Sequence, residues 1–461
     1  MSDRTIASLA QQQPAATVSA ASDRDGLSSL ASGVAITFAT RLFILFGSLG
    51  SSIIVGRWLG PAGLGALAVL NVTVALALQL GSAGLPSATT YLIAKDRSNL
   101  KPAWANAMIF GLTAGVVIAG SVVMLARLKP DVFAGVSFQL VSIVAVSIPF
   151  QLVTLLALNV LLAIDRIKPM NVFESLSSVL VLINSLAVLV IWHRNLETLV
   201  SFNTAAAIIV TLILVWFLGR QVRGTEAGSI RPDIALLKQL LAYGLKFYIS
   251  ILASVVIFRA DLLIVNHFRG ANEAGVYAVA SQFSFLLMLL PGVIASLLFP
   301  RVVSRQHRAA DYTAEVTRHT SFVMIIICIA AAAFSVMLPL VYGPRFADAT
   351  VQLLVMLPGI YFISIESVLV QHFTGTGLPR AIPAFWVITV IANLALNLAL
   401  VPAWGARAAA VNSSVSYALI FVLVTVYFCR KTGRRPFALF LLQKSDVRDL
   451  FARFRRRAFA G

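Results

Sequence analysis

Lys246, Ser250, Ser254 and Asp261 follow one another at intervals of 4, 4 and 7 residues in an otherwise apolar stretch. That spacing places an ammonium group, two hydroxyls and a carboxylate on one face of a helix. Arg259 stands about 200° around the same helix from Asp261, so it shares that face only if the helix is broken. Charge in such surroundings is expensive and ordinarily faces a cavity or a partner. Lys246, Asp261 and Arg259 are therefore candidate substrate-binding residues of an internal cavity. The alternative for Asp261 is a structural ion pair between helices. A weaker version of the pattern recurs near the N-terminus, where Thr37, Arg41, Ser48 and Ser52 share a face. A guanidinium there can grip a pyrophosphate through paired hydrogen bonds, or it can snorkel to lipid headgroups. Glu366 and His372, about one and a half turns apart, can exchange protons. With Asp261 they are the candidates for coupling transport to a gradient; a packing pair is the alternative for Glu366 and His372.

None of these groups makes a catalytic set. No Ser/His/Asp arrangement, metal-ligand spacing or phosphate-cradling glycine loop is present, and no cofactor or metal is expected. Cys328 and Cys429 are the only cysteines and lie in apolar stretches, where small packing residues are expected. The expectation is a protein that is not an enzyme.

The elements carrying these residues follow from hydropathy. Of 461 residues, 59% are hydrophobic and 12% charged, well outside the balance of a soluble domain. Uncharged runs of about 20 residues, each long enough to cross a bilayer, recur along the whole chain. We read twelve spans: 33–55, 64–93, 103–126, 136–163, 171–192, 199–218, 240–267, 274–300, 319–341, 349–373, 381–401 and 408–429. The fold class is an all-α polytopic membrane protein. A polar, disordered cytoplasmic tail (1–30) precedes a six-helix lobe (31–218), and a cytoplasmic linker (219–239) leads to a second six-helix lobe (240–429). A basic tail (430–461) ends the chain. The start lacks the features of a signal peptide.

The net charge of +18 reports topology and does not call for nucleic acid. With the N-terminus inside, the tails and inner connections hold 26 Lys/Arg and the outer connections hold 7. That asymmetry puts both termini in the cytoplasm. Trp58, Trp104, Trp192, Trp216 and Trp404 fall at the boundaries of spans, as an aromatic belt. Trp386, inside a span, is the one candidate for sugar contact. In the last tail Val447, Leu450, Phe451 and Phe454 form an amphipathic pattern suited to an anionic membrane surface.

The stretch IVGRWLGPAGLGALAV (54–69) recurs as IVNHFRGANEAGVYAV (264–279) without a gap, at an offset of 210. Six spans return the chain to its starting side, so the duplication gives two parallel repeats about an axis along the bilayer normal. Gly60 and Gly270 suit the end of the first helix, where a left-handed residue is often required. Gly65 and Gly275 let the next helix approach a neighbour closely.

These segments also carry a resemblance. The first looks like the "R-x-L-G-P-x-x-x-G" opening of the polysaccharide-transporter branch of the multidrug/oligosaccharidyl-lipid/polysaccharide exporter superfamily. RADLLIVNHFRGANEAGVYAVA (259–280) resembles its "D-x-x-[IL]-[IL]" and "G-x-x-x-x-G-x-Y-x-x-A" motifs. Gly377, Asn393, Asn397, Pro402, Gly405, Ala408 and Ala409 match a further signature, with Arg407 where a glycine is usual. The resemblance implies two six-helix lobes in a MATE-like V. It implies a flippase that carries undecaprenyl-pyrophosphate-linked oligosaccharide across a bacterial inner membrane by alternating access. The lipid-linked oligosaccharide and membrane lipids are the partners expected, and a polysaccharide polymerase complex is one the resemblance allows. A drug or organic-cation antiporter of the same superfamily is the alternative. It favours an acidic cavity, whereas Arg41, Lys246 and Arg259 against Asp261 and Glu366 make a mildly basic set.

Overall fold

The computed structural model describes residues 20–225, 230–304, 308–377 and 379–440, and all regular structure among them is helical. In chain order the helices are α1 (Ala20–Ser82), α2 (Leu85–Lys95), α3 (Leu100–Leu128), α4 (Phe138–Ala163), α5 (Ile167–Ser185) and α6 (Leu196–Arg223). There follow α7 (Ile234–Leu287), α8 (Leu289–Ser304), α9 (Ala309–Ser335), α10 (Leu338–Tyr342), α11 (Ala347–Thr376) and α12 (Ala381–Thr432). The first helix begins at Ala20, inside the stretch read from sequence as a disordered tail. The amphipathic pattern at 447–454 lies outside the described residues.

Among the described residues nine helical stretches are long and apolar enough to cross a membrane. Three are far too long for one passage: Thr37–Ser82, Tyr248–Ala295 and Ala381–Thr432 have 46, 48 and 52 residues. At about 1.5 Å per residue each is roughly 70 Å or more, against about 30 Å of hydrocarbon. Each is interrupted by one glycine, Gly60 (φ 68°, ψ −173°), Gly270 (φ 78°, ψ 174°) or Gly405 (φ 63°, ψ −150°). That region of backbone space is essentially closed to residues with a Cβ. The repeat thus records a backbone requirement that only glycine meets, and the chain meets it a third time at Gly405.

The other repeated glycines explain the duplication. A Cβ on Gly65 would lie 1.8 Å from the Ala271 carbonyl oxygen, and one on Gly275 would lie 1.9 Å from the Pro61 carbonyl oxygen. The two copies of the motif are each other's neighbours, crossing backbone to backbone. Around this crossing, Val55, Leu64 and Val69 of one repeat share a buried core with Val265, Ala274 and Tyr277 of the other. Arg57 donates from Nε to the Val341 carbonyl and from Nη2 to the Leu340 carbonyl, both at 2.6 Å. Those acceptors end α10, where unpaired carbonyls attract a cation. Tyr342 reaches Ser52 (3.2 Å), and Asn266 reaches the Val132 carbonyl (3.2 Å). The lobes are therefore sealed at the end that carries the glycine turns.

At the opposite end the contact is narrower. The first turns of α7 lie on the N-terminal lobe: Gly244 abuts Gly84, and Tyr248 donates to the Gln79 and Leu80 carbonyls at 3.0 Å. Past that point α7 joins the C-terminal lobe, so a single helix touches both. Arg407 pairs with Asp348 at 2.9 Å and ties the last glycine turn to the start of α11, a role a glycine there could not have. Beyond α12 the chain folds back on α9, where Arg434 pairs with Asp311 and Ser321 donates to the Phe440 carbonyl.

Candidate functional site

Asp261 is buried between α7 and α12 and has no cationic partner among the described residues. All its partners are neutral. Asn397 Nδ2 donates to Oδ1 at 2.6 Å, and Ser413 Oγ donates to Oδ2 at 2.6 Å. Tyr277 OH also reaches Oδ2, at 3.3 Å. Asn397 Nδ2 is shared with Asn393 Oδ1 at 3.2 Å, and Asn393 Nδ2 continues to Ser416 Oγ at 3.1 Å. The side-chain oxygens of Asn397 and Asn412 are buried without a donor. The cluster is rich in acceptors around one uncompensated, buried carboxylate. Such a group holds one small positive charge well, whether a proton or a monovalent cation. The ion-pair alternative for Asp261 is not what the side chains form.

Sequence reasoning named Asp261 but gave its partners no role. Asn393 and Asn397 are one turn apart on one face of α12, a spacing that signals a shared site. The repeat offset is the second signal. Asp261 is equivalent to Ser51, and Ser51 bonds Ser185 at 2.7 Å, the same helix pairing built from two hydroxyls. Only the second lobe replaced that neutral pair with a carboxylate and amides.

In the first lobe, α1 and α5 run parallel with a nearly constant separation in sequence. The rungs are Thr37 with Asn171 (3.2 Å), Arg41 with Glu174 (3.3 Å), the Ile44 carbonyl with Ser178 (3.1 Å), and Ser51 with Ser185. Arg41 is thus one rung of an intralobe ladder, with its guanidinium half-exposed. About 19 residues, roughly 28 Å of helix, separate it from Gly60, which puts it near the tail end of the bundle. A charge swap, Arg41→Glu with Glu174→Arg, is expected to restore the thermal stability that either single change lowers, read as the melting temperature of the purified protein. If the swapped pair melts as low as the single variants, the Arg41–Glu174 rung does not hold α5.

Lys246 occupies the part of α7 that rests on the first lobe, about 22 Å along the helix from Asp261; its side chain lies outside the described residues. The two share a helical face without meeting. Arg259 remains accessible at mid-helix, 4.5 Å from the Phe285 ring centroid. Glu366 is buried with Oε1 unpaired. His372 bonds the Thr313 hydroxyl at 3.3 Å and packs against Phe428, so Glu366 and His372 form no pair. Trp386 is a core residue beside Phe258 and is not presented to a cavity.

The model of a family described as "Polysaccharide biosynthesis protein" matches residues 54–350. The chain is similar to a probable low-salt glycan biosynthesis flippase of Haloferax volcanii, 22% identical over 49% of this chain and 48% of that protein. The chain thus spans about half the length of that curated relative. Two solved structures share the fold at 14% identity. One is an inward-facing multidrug resistance MATE family transporter of the MOP superfamily, with a TM-score of 0.70 over 87% of this chain and 98% of that one. The other is the lipid II flippase MurJ in an inward closed conformation, with a TM-score of 0.71 over 86% and 87%. The all-helical bundle, its paired glycine turns and the matched family model lead to one conclusion: the chain belongs to the polysaccharide biosynthesis protein family and shares its fold with these two proteins.

Proposed function

We propose that this protein flips an undecaprenyl-pyrophosphate-linked oligosaccharide across a bacterial inner membrane for surface or exopolysaccharide synthesis. Twelve membrane crossings, cytoplasmic termini and alternating access complete the reading. The observation that carries it is the asymmetry between the two ends of the bundle. At the glycine-turn end several elements of both repeats meet, whereas at the other end α7 alone bridges the halves and Arg259, between the two ends, is exposed. This is the arrangement of a carrier waiting to load from the inner leaflet. In the proposed cycle the Asp261 cluster takes up or releases a proton or monovalent cation, which changes how α7 sits against α12. Because α7 also bears on the first lobe, that change reaches the seal. Family membership supports a glycan-lipid cargo, and the accessible guanidinium of Arg259 supports an anionic one. The antiporter reading has the fold in its favour but not the family match.

Restoration of polysaccharide export in a flippase-deficient strain, with the accumulated lipid-linked sugar identified, tests the cargo. Absence of export from a strain in which the protein is inserted at normal levels counts against it. Topology is tested separately. A single cysteine at Asn195 should react with an impermeant thiol reagent on intact cells, and one at Thr225 should not. Equal labelling overturns the orientation.

A further inference from the structure

Away from both the seal and the Asp261 cluster, α3 and α6 diverge near the tail end of the bundle and leave a cavity of about 470 Å³. Its walls include Trp104 and Met108 of α3 and Trp216, Gly219, Arg220 and Arg223 of α6. The four α6 residues are spaced at three and four, so they share one face. Arg220 is stacked over the Trp216 ring at 5.0 Å. Neither Arg220 nor Arg223 has a carboxylate partner among the described residues. The basic last turn of α6 is by itself accounted for by the helix dipole and by the membrane boundary. Gly219 is not. A helical glycine is destabilising relative to alanine, and a Cβ there would meet nothing within 4 Å. A side chain at this position would project into open space, and Gly219 lines the cavity wall.

We propose that this cavity is a binding site for an anionic phospholipid, distinct from the transport path. The two guanidiniums take the phosphate diester, the Trp216 indole lies at headgroup depth, and an acyl chain runs down between α3 and α6 along Met108 and Val215. Basic pockets between membrane helices at this depth suit such headgroups. The inference requires only that the chain be embedded in a bilayer, so it stands or falls independently of the cargo.

The test is lipid retention by the purified full-length protein, read by native mass spectrometry with phosphatidylglycerol against phosphatidylcholine. The wild type should retain phosphatidylglycerol preferentially. Arg220→Gln with Arg223→Gln should weaken that retention by about tenfold or more. Gly219→Leu keeps both charges, fills the cavity and should weaken retention comparably. Arg430→Gln with Lys431→Gln removes two charges near the same membrane boundary and should leave it unchanged. Inorganic phosphate should fail to displace the lipid; displacement would mean a free-anion site and overturn the proposal. Wild-type retention in Gly219→Leu would overturn it as well, as would loss in the Arg430/Lys431 control equal to that in the Arg220/Arg223 variant.

Discussion

Asp261→Asn is expected to leave the protein folded in the membrane and to reduce transport by about tenfold to a hundredfold. The carboxylate accepts from Asn397 and Ser413 at 2.6 Å each. Hydrogen bonds to a charged group are worth about 1.5–3 kcal/mol, and each 1.4 kcal/mol is a factor of ten. An asparagine fits the space and finds acceptors in the Ser413 and Tyr277 hydroxyls, but it loses the charge-assisted hydrogen bonds and carries no charge to exchange. Ser51→Ala, at the equivalent position of the first repeat, removes one neutral hydrogen bond and should cost little transport. The readout is lipid-linked oligosaccharide delivered to the outer leaflet, normalised to protein in the membrane. Equal activity of Asp261→Asn and wild type would remove the cluster from the mechanism.

Gly65→Ala should be at least as damaging, for a mechanical reason. The new methyl would sit 1.8 Å from a backbone oxygen, and a backbone carbonyl has no alternative rotamer. The repeats must move apart by more than an ångström, which opens the seal. Transport should fall about tenfold or more, and Gly275→Ala should behave alike because the contact is reciprocal. Gly120→Ala in α3 is the control, since nothing lies within 4 Å of a Cβ there; it should be silent. A separation reporter is available in Gly135 and Ala271, whose Cβ positions would be 2.9 Å apart across the lobes. Cysteines at that pair should form a disulfide to a greater extent in the wild-type background than beside Gly65→Ala, the strain of a side chain at residue 135 (φ 75°) being common to both.

The fold was largely legible in the sequence because membrane physics leaves few options. Apolar runs set the spans, basic residues set the expected sides, and the motif at 54–69 and 264–279 announced the duplication. What the sequence could not supply was contact. Gly65 and Gly275 read as close-packing residues, but nothing in their spacing said that each packs on the other. Arg41 and Lys246 looked equivalent to Asp261 because charge in an apolar run is conspicuous whatever it meets. In space Arg41 meets Glu174, whereas Asp261 meets neutral side chains, Asn397 and Ser413 of α12 and Tyr277 of its own α7. Glu366 and His372 were joined by proximity along the chain; six residues put them about 240° apart around a helix, and they point to different neighbours. In the sequence Asn393, Asn397 and Tyr277 stand out only as motif matches and Ser413 not at all, because a neutral side chain in a membrane helix does not announce what it meets. In space they surround Asp261.

The most direct test of the transport account locks the seal. Gly135→Cys and Ala271→Cys are introduced together in a background lacking Cys328 and Cys429, and the purified protein is reconstituted in vesicles with lipid-linked oligosaccharide. A disulfide needs Cβ atoms about 3.5–4.5 Å apart, so the bond requires the turn at residue 135 (φ 75°) to adjust from its 2.9 Å approach. A reduced protein that transfers at the rate of the cysteine-free background shows that the adjustment is tolerated. Movement of the oligosaccharide lipid between leaflets is measured before oxidation, after it, and after reduction. Alternating access predicts that oxidation stops transfer and reduction restores it. Transfer by the oxidised protein at the reduced protein's rate would contradict the account, because cargo would then be crossing without the lobes parting at the glycine turns.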